Sequence, residues 1–198
     1  MEVRDRVALV TGGGAGIGRA VAFRLAREGA SVVVSDMDEE AGSGTIHEIE
    51  SEDGKASFFR ADVASEADAR GMVAFAEEEF GGLDVLVNNA GGVSEPYFPD
   101  GEPGHWGRAI DLNLRGVMLG IHFGVRAMKR RGGGAIVNVS SVGEIGNSTT
   151  SPSMARPRPA SSASPPRWPT LRSGWAFAST AYAPGWWTPL PPGASKPG

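Results

Sequence analysis

The sequence predicts an α/β protein built on a doubly wound parallel sheet, and three observations carry that prediction. Short apolar runs rich in Val, Leu and Ile alternate with stretches of helical periodicity from Val7 to Ser141. The runs are almost continuously apolar, as strands covered on both faces must be. Each run also closes on small or polar residues: Thr11-Gly12, Asp36, Asp62, Asn88-Asn89 and Ser140. Right-handed crossovers bring all these strand ends to one edge of the sheet, where this architecture keeps its ligand crevice.

The first strand, Val7-Ala8-Leu9-Val10, breaks off in Thr11-Gly12-Gly13-Gly14-Ala15-Gly16-Ile17-Gly18, and an amphipathic helix follows with Val21, Leu25 and Ala26 on one face. Strand, tight turn, helix is a unit suited to phosphate. Glycines let the backbone approach a pyrophosphate, and the new helix aims unpaired N–H groups and its positive dipole end at the anion. Gly29 ends the helix at a C-cap position. The second strand, Ser31-Val32-Val33-Val34-Ser35, delivers Asp36. A carboxylate there, about 20 residues past the glycines, suits an adenosine ribose diol. It also repels a 2′-phosphate, and position 15 is Ala rather than a cation, so NAD is favoured over NADP. The other reading of Asp36 is a helix N-cap for the segment that follows.

Residues 38–52 read as a polar surface helix, and Ala56–Ala61 as the third strand, leading to Asp62-Val63. A helix over 65–80 places Met72, Val73, Ala76 and Phe80 in the core until Gly81-Gly82 stops it. Asp84–Val87 is the fourth strand and delivers Asn88-Asn89-Ala90-Gly91. Residues 93–105 form a loop rich in Pro, Gly and acids. Helical patterns then run from Trp106 to Leu112 and from Asn113 to Arg131. Gly132-Gly133-Gly134 precedes the fifth strand, Ala135–Val139, which ends at Ser140-Ser141.

Composition narrows the function classes. A net charge of −4 without long like-charge blocks recommends neither nucleic acid nor an anionic membrane. No cysteine is present, and His47, His105 and His122 lack metal-ligand spacing, so no metal site is expected. With no apolar run long enough to span a bilayer, a soluble cytoplasmic protein is the expectation. A phosphate-loop nucleotidase is rejected because no Gly-Lys-Ser/Thr follows the glycines.

Taken together, the glycine turn, Asp62-Val63, Asn88-Asn89-Ala90-Gly91, Asn113 within Asp111-Leu112-Asn113-Leu114-Arg115-Gly116, and Ser140-Ser141 resemble the short-chain dehydrogenase/reductase family over residues 5–153. The resemblance implies a Rossmann-like, NAD-binding domain over residues 1–153 and hydride transfer between NAD(H) and a secondary alcohol or ketone. It implies that Gly12, Gly16, Ile17 and Gly18 cradle the pyrophosphate, Asp36 holds the ribose, Asp62 and Val63 flank the adenine, and Asn89 and Gly91 line the coenzyme. Ser140 would polarise the substrate carbonyl and Asn113 would hold a water in a proton relay. The family is usually homo-oligomeric.

The family's general base is a tyrosine with a lysine four residues on, the ammonium lowering a phenol pKa of about 10. Here Met154 and Arg158 stand at those positions. Composition changes at the same point: no acidic residue follows Glu144, and prolines at 157, 159, 165, 166 and 169 forbid the long helix expected there. Residues 154–198 therefore read as a Pro/Ser/Trp-rich tail, either a true interaction segment on a non-catalytic dinucleotide-binding protein or the product of a lost base just before codon 154. The genetic code discriminates. In the neighbouring frame Met154 permits Tyr, Ala155 must become Gly, and Arg158 permits Lys. Further on, Phe177–Thr180 permits Ile/Val-Arg-Val-Asn, and Trp186–Pro189 permits x-Val-Asp-Thr, with Val and Asp forced. These are the family's later motifs in register. In the chain as written, strand five is expected to become a sheet edge, the helix from Asn113 to lose its packing partner, and the subunit interface to be damaged.

Overall fold

The computed structural model describes residues 3–92, 102–141 and 175–182. Its elements are β1 (Val7–Thr11), α1 (Gly16–Arg27), β2 (Ser31–Asp36), α2 (Glu39–Glu50), β3 (Lys55–Arg60), α3 (Glu66–Phe80), β4 (Val85–Asn88), α4 (Pro103–Ile110), α5 (Gly116–Arg130), β5 (Gly134–Ser141) and β6 (Trp175–Tyr182). A π-helical segment, Asp111–Arg115, joins α4 to α5. The sheet order is β3-β2-β1-β4-β5-β6. The first five strands pair in parallel, with Leu9 of β1 in register between Val33 and Leu86.

Strand alternation explains the continuous apolar runs. Leu9, Val33, Leu86 and Ile136 point to one face and pack with Met72 and Ala76 of α3 and Met128 of α5. Ala8, Val10, Val32, Val34, Val85 and Val87 point to the other, where Ala22 and Ala26 of α1 and Ile49 of α2 cover them. Every residue of β1 is buried. Burial on both sides makes β1 the fixed frame from which the glycine turn projects.

The helix ends obey their sequence signals. Gly29 takes φ +89° just after α1, and Gly81 caps α3 in the left-handed region. The helix expected from Trp106 begins earlier, at Pro103, a residue favoured in the first turn. Among the described residues, no helix is long and apolar enough to cross a membrane.

The expectation that the fifth strand becomes an edge is corrected: β6 pairs with it antiparallel, Val137 opposite Ser179. An antiparallel partner needs no helical crossover. The tail thus contributes one strand to the sheet. Residues 142–174 and 183–198, with Met154 and Arg158 among them, lie outside the described residues.

Candidate functional site

The C-terminal edge of the sheet differs from the rest of the surface first at α1. Helices α2 and α3 are closed by their own side chains: Asp38 accepts from the Ala41 amide at 3.0 Å, and Ser65 from that of Asp68 at 3.3 Å. Both carry acids in the first turn. Helix α1 has Ala15 at its N-cap, no capping side chain and no acid in its first turn. Its leading N–H groups and positive dipole end are left for an anion from elsewhere.

The three site glycines of the turn serve different purposes. At Gly18 a Cβ would overlap the Gly12 carbonyl oxygen and lie 2.5 Å from Asn89 Nδ2, so this residue lets α1 pack on the turn. Gly12, at φ +63°, lies against Ala90 and Asn89. Gly16, at φ +53°, has nothing within 4 Å of where a Cβ would stand. The open space is at Gly16, directly at the start of α1 and beside half-exposed Ile17.

A buried hydrogen-bond frame holds the turn in shape. Thr11 Oγ1 donates to the Val87 carbonyl (3.3 Å) and accepts from the amides of Asn89 and Ala90 (3.0 Å each). Asn89 Nδ2 donates to the carbonyls of Thr11 (3.0 Å) and Gly12 (3.1 Å). Thr45 Oγ1, from α2, lies 3.1 Å from the Gly13 carbonyl and 3.3 Å from that of Gly14. Asn89 therefore shapes the glycine turn, and its amide nitrogen is committed to that task. Asn88 is buried and donates to Asn138 Oδ1 at 2.8 Å.

Asp36 is not a helix cap; Asp38 takes that role. The Asp36 carboxylate accepts from Gly14 N at 2.9 Å and from Asp38 N at 3.1 Å, one bond to each oxygen. Two backbone donors aim it across the glycine turn while acceptor capacity remains on both oxygens.

Asp62 sits just past β3. Its Oδ1 accepts from Ala64 N (3.0 Å), and its Oδ2 from Arg108 Nη1 of α4 (2.9 Å). Burial pushes the Asp62 carboxyl up, but the Arg108 hydrogen bond, the Ala64 amide and the Arg108 charge together hold it below the ordinary carboxylate value. Val63 is buried and packs against Gly116 of α5, so its side chain belongs to the core.

The π-helical segment carries Asn113, whose Nδ2 donates to the carbonyls of Gly92 (2.6 Å) and Ala109 (2.9 Å) while Oδ1 accepts from Gly92 N (3.1 Å). Gly91 allows that approach: a Cβ there would lie 2.9 Å from Asn113 Oδ1. The Asn113 side chain is thus spent on pinning the strand-four loop to the helix. Ser140, half-buried, stands near the end of β5 on the same sheet edge.

The structure joins the predicted residues into groups: Gly12, Gly18 and Asn89; Gly14 and Asp36; Asn113 with the Gly91-Gly92 loop. Thr45 and Arg108 escaped the sequence reading. Thr45 gave no signal beyond a buried hydroxyl on a helix otherwise read as surface, and Arg108 meets a partner 46 residues away. The residues present fit a dinucleotide: an uncapped helix start with room at Gly16, and a carboxylate held beside it.

Comparison with known proteins agrees. The short chain dehydrogenase family model matches residues 6–152. A cyclohexanol dehydrogenase of Acinetobacter sp. (strain SE19) is 41% identical over 142 residues, 71% of this chain and 57% of that protein. A cyclopentanol dehydrogenase of Comamonas testosteroni is 42% identical over 141 residues, again 71% of this chain and 56% of that protein. Among solved structures, a 7α-hydroxysteroid dehydrogenase complexed with NADH and 7-oxo glycochenodeoxycholic acid matches with TM-score 0.71 and 34% identity, over 74% of this chain and 57% of that one. The matches span little more than half the length of these relatives. On its glycine turn, its parallel sheet and this match, the chain belongs to the short-chain dehydrogenase family.

Proposed function

We propose that the protein descends from an NAD(H)-linked oxidoreductase of secondary alcohols and ketones, and that residues 1–153 are its coenzyme-binding domain. One observation carries the reading: the uncapped start of α1, open at Gly16, beside the backbone-held carboxylate of Asp36. Gly16, Ile17 and Gly18 offer their amides to the pyrophosphate, and Asp36 accepts from the ribose hydroxyls. NAD is preferred over NADP because a 2′-phosphate would meet the Asp36 charge. The nicotinamide, when bound, supplies or accepts the hydride. Ser140 donates its hydroxyl proton in a hydrogen bond to the substrate oxygen. Asn113 fixes the loop that faces the coenzyme. Any relay water is held by backbone at the π-helical segment, since the Asn113 side chain is engaged. The relatives' names point to a cyclic or polycyclic secondary alcohol as substrate class.

Proton transfer is where the chain as written fails. Met154 has no titratable proton, and Arg158 cannot tune a phenol that is absent. The family match stops at residue 152, just short of codon 154, before which the code comparison sets the lost base. Residues 154–198 are accordingly read as out-of-frame translation. As written, the chain binds coenzyme without turnover, a reading favoured by the Met154 substitution alone. The helical rod from α4 to α5 also exposes Trp106, Ile110, Leu114 and Met118 at four-residue spacing. We assign this stripe to the subunit contact of the parent enzyme.

The test is direct. Sequencing codons 150–160 should show bases that encode Tyr-Gly-x-x-Lys in the neighbouring frame. The frame-corrected protein should oxidise a cyclic secondary alcohol with NAD. Its Ser140→Ala variant should lose about 10²- to 10³-fold in kcat. NAD-dependent turnover by the uncorrected chain would refute the reading.

A further inference from the structure

Three elements meet beside Asp36 in a way the glycine turn does not explain. Met37 follows Asp36 and is 48% exposed, a large apolar side chain left in solvent. The Arg108 guanidinium reaches from α4 across this point, with Nη1 2.9 Å from Asp62 Oδ2 and Nη2 3.6 Å from the Met37 sulfur. A cavity of about 60 Å³ is lined by Met37 and Asp62, the two residues that Arg108 touches, together with Arg60, Ala61 and Asp68. Arg60 Nε donates to the Met37 carbonyl at 3.2 Å, and Asp68 accepts from the Asp62 amide at 2.9 Å, so the walls are braced. The result is a small slot with an apolar side and an acceptor, and a planar cation held by two of the residues that line it.

We propose that Arg108 is a base-binding residue: its guanidinium, held between Met37 and Asp62, packs against the adenine of the coenzyme, while Asp62, which the resemblance already sets at the adenine, accepts from the exocyclic amine. The proposal rests on the coenzyme reading above. A guanidinium is flat, stacks on aromatic rings and holds its charge at any working pH. Asp62 need not release Arg108 to do this, since a carboxylate has about four acceptor positions and this one uses two with Ala64 and Arg108. The ion pair instead holds the guanidinium in place. Arg108 lies five residues before Asn113 on one continuous helical run, so the adenine end and the loop-pinning end of the site share that run.

The experiment measures binding, which the chain's lack of turnover does not obscure. AMP, ADP-ribose and nicotinamide mononucleotide are titrated calorimetrically into the full chain and into Arg108→Ala and Arg108→Lys. Arg108 is half-exposed, and matching thermal melts establish that the variants are folded. AMP and ADP-ribose should weaken about three- to thirtyfold in Arg108→Ala, the range of a cation–π contact, with nicotinamide mononucleotide unaffected. Arg108→Lys, which keeps the charge but not the plane, should recover less than half of the lost free energy. AMP binding by Arg108→Ala equal to or tighter than wild type overturns the proposal, because Arg108 is then a bystander or a competitor for the slot. So does full recovery by Lys, which would reduce the residue to a point charge. If the unaltered chain binds neither AMP nor ADP-ribose, the coenzyme reading itself fails and takes the proposal with it.

Discussion

The two edges of the sheet use aspartate in opposite ways. At the N-terminal edge, Asp84 is buried: Oδ2 accepts from Val7 N (2.9 Å) and Arg131 Nη2 (3.0 Å), and Oδ1 from Arg6 Nη1 (3.3 Å). Three segments of chain meet on that carboxylate, and nothing about it invites a ligand. At the C-terminal edge, Asp36 is held by two backbone amides yet stays partly exposed, and α1 beside it has no acidic cap. One edge is completed within the chain and the other is left incomplete. In a parallel sheet every strand end on the ligand side carries a loop. Specificity can therefore be placed there without disturbing the frame.

The contrast breaks most sharply at the glycines. Gly18→Ala pushes a methyl group into the Gly12 carbonyl and Asn89, so it should cost about 1–3 kcal/mol of stability and abolish detectable NADH binding. Gly16→Ala meets open space, so its stability cost is confined to a positive φ, about 1 kcal/mol, while binding still falls. Urea midpoints with NADH fluorescence titrations on both variants check this. Equal stability of the two variants would show that α1 is not packed as tightly as Gly18 implies.

A smaller effect belongs to Asp36. Removing it frees the exposed Asp38 amide to water but leaves the buried Gly14 amide without its partner, a cost of about 1–3 kcal/mol, so Asp36→Ala should lower the thermal midpoint by several degrees. It should weaken NADH about 10- to 100-fold, the worth of hydrogen bonds to a charged acceptor, and narrow the gap to NADPH. A variant that melts early but binds normally would move Asp36 into the structural class with Asp84.

These tests also mark what could be read from residues alone. Strands β1 to β5 and helices α1 to α3 were legible because burial on both faces leaves unbroken apolar runs, and glycines at 12, 16, 18, 29 and 81 punctuate them. Asp36 was legible because its position at the end of β2 follows from the strand itself. Asn89 was harder. Its type suggested a coenzyme contact, yet its side chain faces inward to two carbonyls, a direction set by the tight meeting of β1 and β4. Arg108 could not be found, since an arginine on a polar helical turn looks like solvated surface until the fold brings it to Met37 and Asp62, just past the ends of β2 and β3. Strand β6 was masked by its setting: Trp175–Tyr182 is rich in aromatic and β-tolerant residues, but the prolines around it favoured reading the whole tail as irregular.

The finest discrimination comes from acid. Burial pushes the Asp84 carboxyl up, but the Val7 amide and the charges of Arg131 and Arg6 outweigh it, so the folded pKa lies below the ordinary 3.8. Asp62 is lowered in the same sense through Arg108. A carboxylate depressed in the folded state binds fewer protons there than in the unfolded chain. Its stabilisation is complete above the unfolded value near 4 and is lost as pH falls through the folded one. Stability should therefore change little with these groups between pH 7 and 5, then fall below about 4 with a slope of at most ~1.4 kcal/mol per pH unit for each. Asp84→Asn should be less stable at neutral pH by about 1–3 kcal/mol, with Arg131 and the Val7 amide poorly matched, but lose stability more gently in acid. Urea melts of both proteins at pH 7, 5, 4 and 3 show whether the two curves converge. Parallel curves would mean that Asp84 titrates alike in both states, and the closed edge would then owe its order to apolar packing around β1 rather than to this carboxylate.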